Sequence, residues 1–138
     1  MIELELPFPP SGNHRNKLGR NRANGKTIIY RTEKTARYYN DVKIIWLMSK
    51  QKMVDYACEA HIHYFMPDLR KRDEDNLRKT LFDALQYAGV VADDNLIWPA
   101  FADKDEKIVK GGAVLIKIRP TVKRPKFWAL TYINPSDT

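Results

Sequence analysis

Two short acidic runs carry the residues with the most chemistry to offer. Asp73, Glu74 and Asp75 stand together, with Arg70, Lys71 and Arg72 before them and Arg78 and Lys79 after. Asp93 and Asp94 follow further along the chain. Asp73 and Asp75 lie two apart, so in extended backbone both side chains leave the same face. In a helix they would diverge by about 200°. They can meet on one ion only where the chain is extended or just entering a helix. An apolar helical period begins at Leu77, which fits that condition. Lys79 lies four residues past Asp75, on the same face if Asp75 opens the helix. The chain turns back through Gly89, so Asp93 or Asp94 is expected beside Asp73 and Asp75.

Three carboxylates within ~4 Å of one another repel by about 4 kcal/mol per pair at an effective dielectric near 20. A hard divalent cation, Mg²⁺ or Mn²⁺, relieves that repulsion and prefers carboxylate and water oxygens. Held there, it can activate water and polarise a phosphodiester. Lys79 can then neutralise charge building on the phosphate. The same residues also have a purely structural account. Asp73 or Asp75 can cap a helix. Asp75 and Lys79 can form an i,i+4 pair worth ~0.3 kcal/mol. Asp93-Asp94-Asn95 can be a turn. An Asp-x-Asp spacing is short and common, so it does not choose between these accounts alone.

Charge adds a second constraint. Lys and Arg total 24 against 17 Asp and Glu, a net charge of +7. Residues 13–37 hold Arg15, Lys17, Arg20, Arg22, Lys26, Arg31, Lys34 and Arg37 against Glu33, and the remaining charges cancel. A basic excess packed into one quarter of a small chain points to a polyanion, nucleic acid above all. A membrane surface fits less well, because this stretch has no apolar face to insert. His61 and His63 share one face of an alternating segment but lack a third soft ligand, so a strand surface is the expected role. His14 lies in the basic loop. Cys58 falls among apolar alternating positions and reads as core. Trp46 is expected in the core; Trp98 and Trp128 can be buried, lie in a subunit interface or stack on bases.

The elements that must position these groups follow from periodicity. Ile2–Leu6 alternates and reads as a strand, stopped by Pro7, Pro9 and Pro10. Residues 11–26 read as a long mobile loop, with a short strand from Lys26 to Tyr30. Thr32 is a predicted N-cap, and a helix of about 18 residues follows it, with Tyr38, Val42, Ile45, Trp46 and Met53 near one face. Ala57–Met66 alternates again and reads as a strand. Residues 76–88 form the clearest helix, with Leu77, Leu81, Ala84, Leu85 and Ala88 on one side and Gly89 as its stop. Leu96–Lys104 reads as a strand placed at an edge or bulged by Pro99. Gly111-Gly112 is a turn, and Ala113–Arg119 a last strand. The expected fold class is α/β, close to α+β: a mixed β-sheet with two main helices packed on it, in a single domain. That domain spans residues 1–120, with 121–138 as a C-terminal tail. No secretory leader is expected, because the start, MIELELPFPP, has no basic region or long apolar stretch. No apolar run approaches the ~18 residues that span a bilayer. One cysteine excludes an intramolecular disulfide framework.

Lys71-Arg72-Asp73-Glu74-Asp75-Asn76-Leu77-Arg78-Lys79, then Phe82-Asp83-Ala84-Leu85, Ala88-Gly89-Val90 and Asp93-Asp94, together resemble the RusA family of Holliday junction resolvases. Pro9-Pro10-Ser11-Gly12-Asn13 and Lys110-Gly111-Gly112 extend the likeness over about residues 5–119. The resemblance implies a Mg²⁺- or Mn²⁺-dependent endodeoxyribonuclease acting as a homodimer on four-way DNA junctions, in recombination and repair. Such enzymes are cytoplasmic, in a bacterial host or phage-encoded. It places the family's three essential aspartates, as metal ligands, on Asp73, Asp75 and Asp94, and its catalytic lysine on Lys79. Whether Asp93 also binds metal stays open. Arg15, Lys17, Arg20, Arg22, Lys26, Arg70, Lys71 and Arg72 are the expected DNA-binding residues. A non-catalytic junction-binding module and a broader flap or fork nuclease are the alternatives. Two features depart from the resemblance: the loop from His14 to Gly25 is long and very basic, so different DNA contacts are expected there, and the tail after Pro120 matches no part of the family pattern.

Overall fold

The computed structural model describes residues 1–10, 16–20 and 23–121, with the side chains of 1–10, 23–26 and 32–121. His14, Arg15, Arg22, Trp128 and the tail beyond residue 121 lie outside the described residues, as do the side chains of Lys17 and Arg20.

A four-stranded mixed sheet carries the fold, in the order β1-β6-β4-β5. β1 (Ile2–Leu6) pairs antiparallel with β6 (Ala113–Pro120), which pairs antiparallel with β4 (Cys58–Phe65). β5 (Ile97–Lys104) runs parallel to β4 at the sheet edge. Its edge place suits Pro99, which has no N–H to give a ladder. The β4–β5 register slips between Cys58 and Ala60.

Alternation decides which side chains meet the core. Ile2, Leu4 and Leu6 of β1, Val114, Ile116 and Ile118 of β6, and Cys58, Ala60, Ile62 and Tyr64 of β4 are buried. α1 (Glu33–Ser49) and α2 (Glu74–Ala88) add Tyr38, Val42 and Trp46, and Leu77, Leu81, Ala84 and Leu85, to the same core. Thr32 caps α1, accepting the Thr35 N–H at 3.3 Å. The helix ends at Ser49, so Met53 lies beyond it and is exposed, while Tyr39 joins the buried face instead. Tyr38 donates its hydroxyl to the Pro7 carbonyl at 3.0 Å, tying α1 to the end of β1.

The segment expected to be one long loop holds a strand. β2 (Asn16–Arg20) pairs antiparallel with β3 (Thr27–Arg31) in a separate two-stranded ladder. The missed signal is Asn24-Gly25, the dipeptide that favours tight hairpins. Gly25 has a φ of 69°, and the Lys26 N–H closes onto Asn24 Oδ1 at 2.9 Å. Among the described residues, no helix is long and apolar enough to cross a membrane.

The β4–α2–β5 unit governs the site. Parallel neighbours require a crossover connection, and α2 is that crossover. Its start therefore follows the end of β4, and its end delivers the chain to the beginning of β5. A backbone bridge between Val54 and Val91, both next to those strand beginnings, fixes the return.

Candidate functional site

Asp73 is the N-cap of α2, in extended backbone with φ −79° and ψ 113°. Its Oδ1 accepts the Asp75 N–H at 3.0 Å and its Oδ2 accepts from Asn76 Nδ2 at 3.4 Å. The helix thus opens earlier than its apolar period announces, because the cap satisfies backbone donors that have no carbonyl partner. Glu74 turns inward: Arg78 donates to it through Nε at 3.2 Å and through Nη2, and Tyr64 donates its hydroxyl at 3.3 Å. Burial and the Glu74 charge push the Tyr64 hydroxyl pKa up.

Asp75 and Lys79 behave differently. Both are exposed, on one face of α2 four residues apart. Among the described residues neither side chain forms a hydrogen bond or ion pair, so the ordinary i,i+4 pair is not made. A carboxylate and an ammonium are left open to solvent at the head of the helix.

Asp94 opens a 3₁₀ turn (Asp94–Leu96) just before β5, with Asp93 as its cap. Its N–H donates to Gln86 Oε1 at 3.2 Å. Desolvation raises the Asp94 pKa most; a hydrogen bond with Asp93 and the charges of Asp93 and Asp83 raise it further. Asp83 therefore belongs to this acidic end. It continues the line of Asp75 and Lys79 one turn further along α2. That i, i+4, i+8 spacing was the available signal, and only the fold reveals that the line runs toward Asp94.

The return through Gly89 brings Asp94 to the far end of α2. Gln86 lies eleven residues past Asp75, about 16 Å along a helix axis. Accordingly, among the described residues no group of three or more His, Cys, Asp or Glu side chains is gathered to hold a metal ion. The donors are hard oxygens of the kind Mg²⁺ and Mn²⁺ prefer. Within one protomer they are divided between the two ends of the helix.

A cleft of about 550 Å³ lies beside the start of α2, between the 66–72 loop and the segment after β5. Arg70, Lys71, Arg72 and Lys104 line it with Glu74, Asp103 and Asp105. Arg70, Lys71 and Lys26 are exposed. Arg72 is engaged: it donates to both Asp68 oxygens, at 2.6 and 3.1 Å, and lies 5.4 Å over the Phe8 ring. His63 sits between Asp103 at 2.6 Å and Asp105 at 3.0 Å. The His61 ring stacks against Phe101. Cys58 is fully buried with its thiol on the Leu96 carbonyl at 3.6 Å, and burial pushes its pKa up. Trp46 is buried and Trp98 exposed.

These features define a class: an α/β fold on a four-stranded mixed sheet that offers carboxylates at both ends of a crossover helix and cations at its entrance. The family described as Endodeoxyribonuclease RusA matches residues 7–119, and the chain belongs to that family of endodeoxyribonucleases. A protein of Aquifex aeolicus named Crossover junction endodeoxyribonuclease RusA is 35% identical over 126 residues, 86% of this chain and 91% of the relative. Proteins of the same name from Shigella sonnei and Escherichia coli K12 are 39% and 37% identical over 93 and 97 residues, in each case 66% of this chain and 72% of the relative.

Proposed function

We propose that this protein resolves four-way DNA junctions by divalent-metal-dependent hydrolysis of paired phosphodiesters. One observation carries the reading: Asp75 and Lys79 stand exposed and uncommitted at the head of α2, behind a cationic loop, in a chain of the RusA family. Leaving such a pair open costs the helix only ~0.3 kcal/mol, so both groups are available to a ligand. Asp73, Asp75 and Asp94 would hold Mg²⁺ or Mn²⁺, which when bound supplies a Lewis acid for the phosphodiester. Lys79 would face the charge that develops on the attacked phosphate. Arg70 and Lys71, with Arg15, Lys17, Arg20, Arg22 and Lys26, would hold the DNA backbone, which carries no sequence information itself.

A homodimer belongs to the same proposal. The carboxylates lie at opposite ends of α2, so one protomer lacks a complete ligand set. A twofold axis that sets two α2 helices antiparallel would bring Asp94 of each copy toward Asp73 and Asp75 of the other. A junction has approximate twofold symmetry, and a C2 dimer offers it two equivalent sites. Ile44, Leu47 and Met48 form an exposed apolar face of α1, surface that a second copy can cover. The substrate places the protein in the cytoplasm, with bacterial or phage DNA.

The experiment compares four-way, three-way, flap and linear duplex DNA at one salt concentration, in Mg²⁺, Mn²⁺ and EDTA. Paired symmetric nicks in the four-way junction, lost in EDTA, are expected. Junction binding without product under any metal would make it a binding module. Equal cutting of flaps would make it a broader nuclease.

A further inference from the structure

The loop from Met66 to Arg72 has an unusual construction. Its base is tied down twice. Asp68 Oδ1 accepts the Arg70 N–H at 2.9 Å, which closes a tight turn over Leu69. The Arg72 guanidinium grips both Asp68 oxygens and rests on Phe8, whose ring meets Tyr64 edge-on at 6.2 Å. The paired Arg72 holds the Asp68 carboxyl down at about 2. Gly112, at φ 68°, packs so closely on Phe8 that a Cβ there would lie 2.9 Å from it. The platform under the loop is therefore filled.

At the apex stands Leu69, 90% exposed, the most exposed large hydrophobic side chain among the described residues. A lone exposed leucine is ordinary. This one is held out by a braced turn, with the exposed Arg70 and Lys71 directly after it, four residues ahead of Asp73. Two exposed cations directly beside an apolar tip fit a ligand that carries phosphates next to apolar faces, which is nucleic acid.

We propose that Leu69 is a wedge that enters the branch point of bound DNA and covers a base that has lost a stacking neighbour, with Arg70 and Lys71 on the adjoining phosphates. Apolar side chains inserted between base steps act in this way in proteins that deform DNA. In a continuous duplex the insertion must unstack a base pair. At a branch point the stack is already interrupted, so the wedge favours branched over linear DNA. This rests on the junction reading above and adds the residue that distinguishes the substrate's shape.

The test uses the full chain with a four-way junction carrying 2-aminopurine at the branch point, bound in EDTA so that nothing is cut. The wild-type protein should raise the fluorescence. Leu69→Ser should abolish that rise and lower the ratio of junction to duplex affinity about tenfold. Leu69→Met, which keeps an apolar tip, should restore both. Melting temperature should not change, because the side chain is in solvent. An unchanged fluorescence rise and affinity ratio in Leu69→Ser would overturn the wedge and leave the junction reading intact. A wild-type protein that does not prefer the junction over duplex would overturn both.

Discussion

Asp73 accepts the Asp75 N–H on Oδ1 at 3.0 Å, so one proposed metal ligand orders the backbone of another. The Asp75 carboxylate itself is engaged by no described residue. Structure and chemistry therefore separate at this pair. Asp75→Asn keeps the volume and the helix and removes only a charge. It should bind four-way junctions within about twofold of wild type and lose cleavage in Mg²⁺. Gel shift in EDTA and single-turnover cleavage check this, and cutting at the wild-type rate would remove Asp75 from the site.

Asp73 has two roles, and two substitutions divide them. Asparagine caps helices about as well as aspartate, whereas alanine costs about 1 kcal/mol. Asp73→Ala should lower unfolding stability by that amount in urea, and Asp73→Asn should leave it nearly unchanged. Both should lose cleavage. Retained cleavage in Asp73→Asn would reduce the residue to a cap.

Lys79 stabilises nothing visible in the fold, since its ammonium meets no described partner. Lys79→Ala should therefore melt like the wild type. Removing a single charge-stabilising donor from a transition state lowers turnover by about 10²-fold. The same loss is expected here at saturating junction, with affinity little changed. Wild-type turnover would make Lys79 a surface residue.

His63 carries the clearest pH signature. Both ring nitrogens face carboxylate oxygens, an arrangement that favours the doubly protonated ring. Its pKa is raised, first by the hydrogen bond to Asp105 and then by that to Asp103. Asp103 is nearer but far more exposed, so solvent weakens its part. Asp105 is lowered, chiefly by His63. The histidine's contribution is complete below its unfolded pKa of about 6.5 and fades as pH rises through the higher folded value. The Asp105 contribution is present above about 3.9 and fades as pH falls through its lower folded value. Wild-type melting temperature should fall from pH 6 to pH 8.5 more than that of His63→Gln. Parallel curves would show that the cluster does not couple to folding.

Much of the fold was legible in local pattern. Alternation marked β1, β4 and β6, and Thr32 and Gly89 marked helix ends, because burial and capping act over a few residues. The β2–β3 hairpin was not, since Asn16–Arg20 has no apolar alternation and its ladder rests on backbone pairing around Asn24-Gly25. The types of residue in the site were also legible, but their distance was not. Whether Asp94 returns to the head or the tail of α2 depends on β5 running parallel to β4, a nonlocal pairing that no spacing encodes. The part Asp83 plays at the acidic end is hidden for the same reason, because it comes only from the nearness of Asp94 in the fold.

That separation yields the sharpest test of the site. If Asp94 acts in the protomer that supplies Asp75, a mixed dimer of Asp75→Asn and Asp94→Asn chains carries one defect in each site and is inactive. If Asp94 acts across the twofold axis, both defects fall in one site and the other is intact. Differently tagged chains, refolded together and purified as the heterodimer, should nick junctions on one strand and bind Mn²⁺ at a single site per dimer. Each homodimer variant should do neither. If Asp73, Asp75 and Asp94 share one ion, the crossed arrangement is expected, since about 16 Å of helix axis cannot be spanned by carboxylates that meet one ion at 2.0–2.1 Å. An inactive heterodimer that binds no Mn²⁺ would show that the two ends of α2 serve different sites.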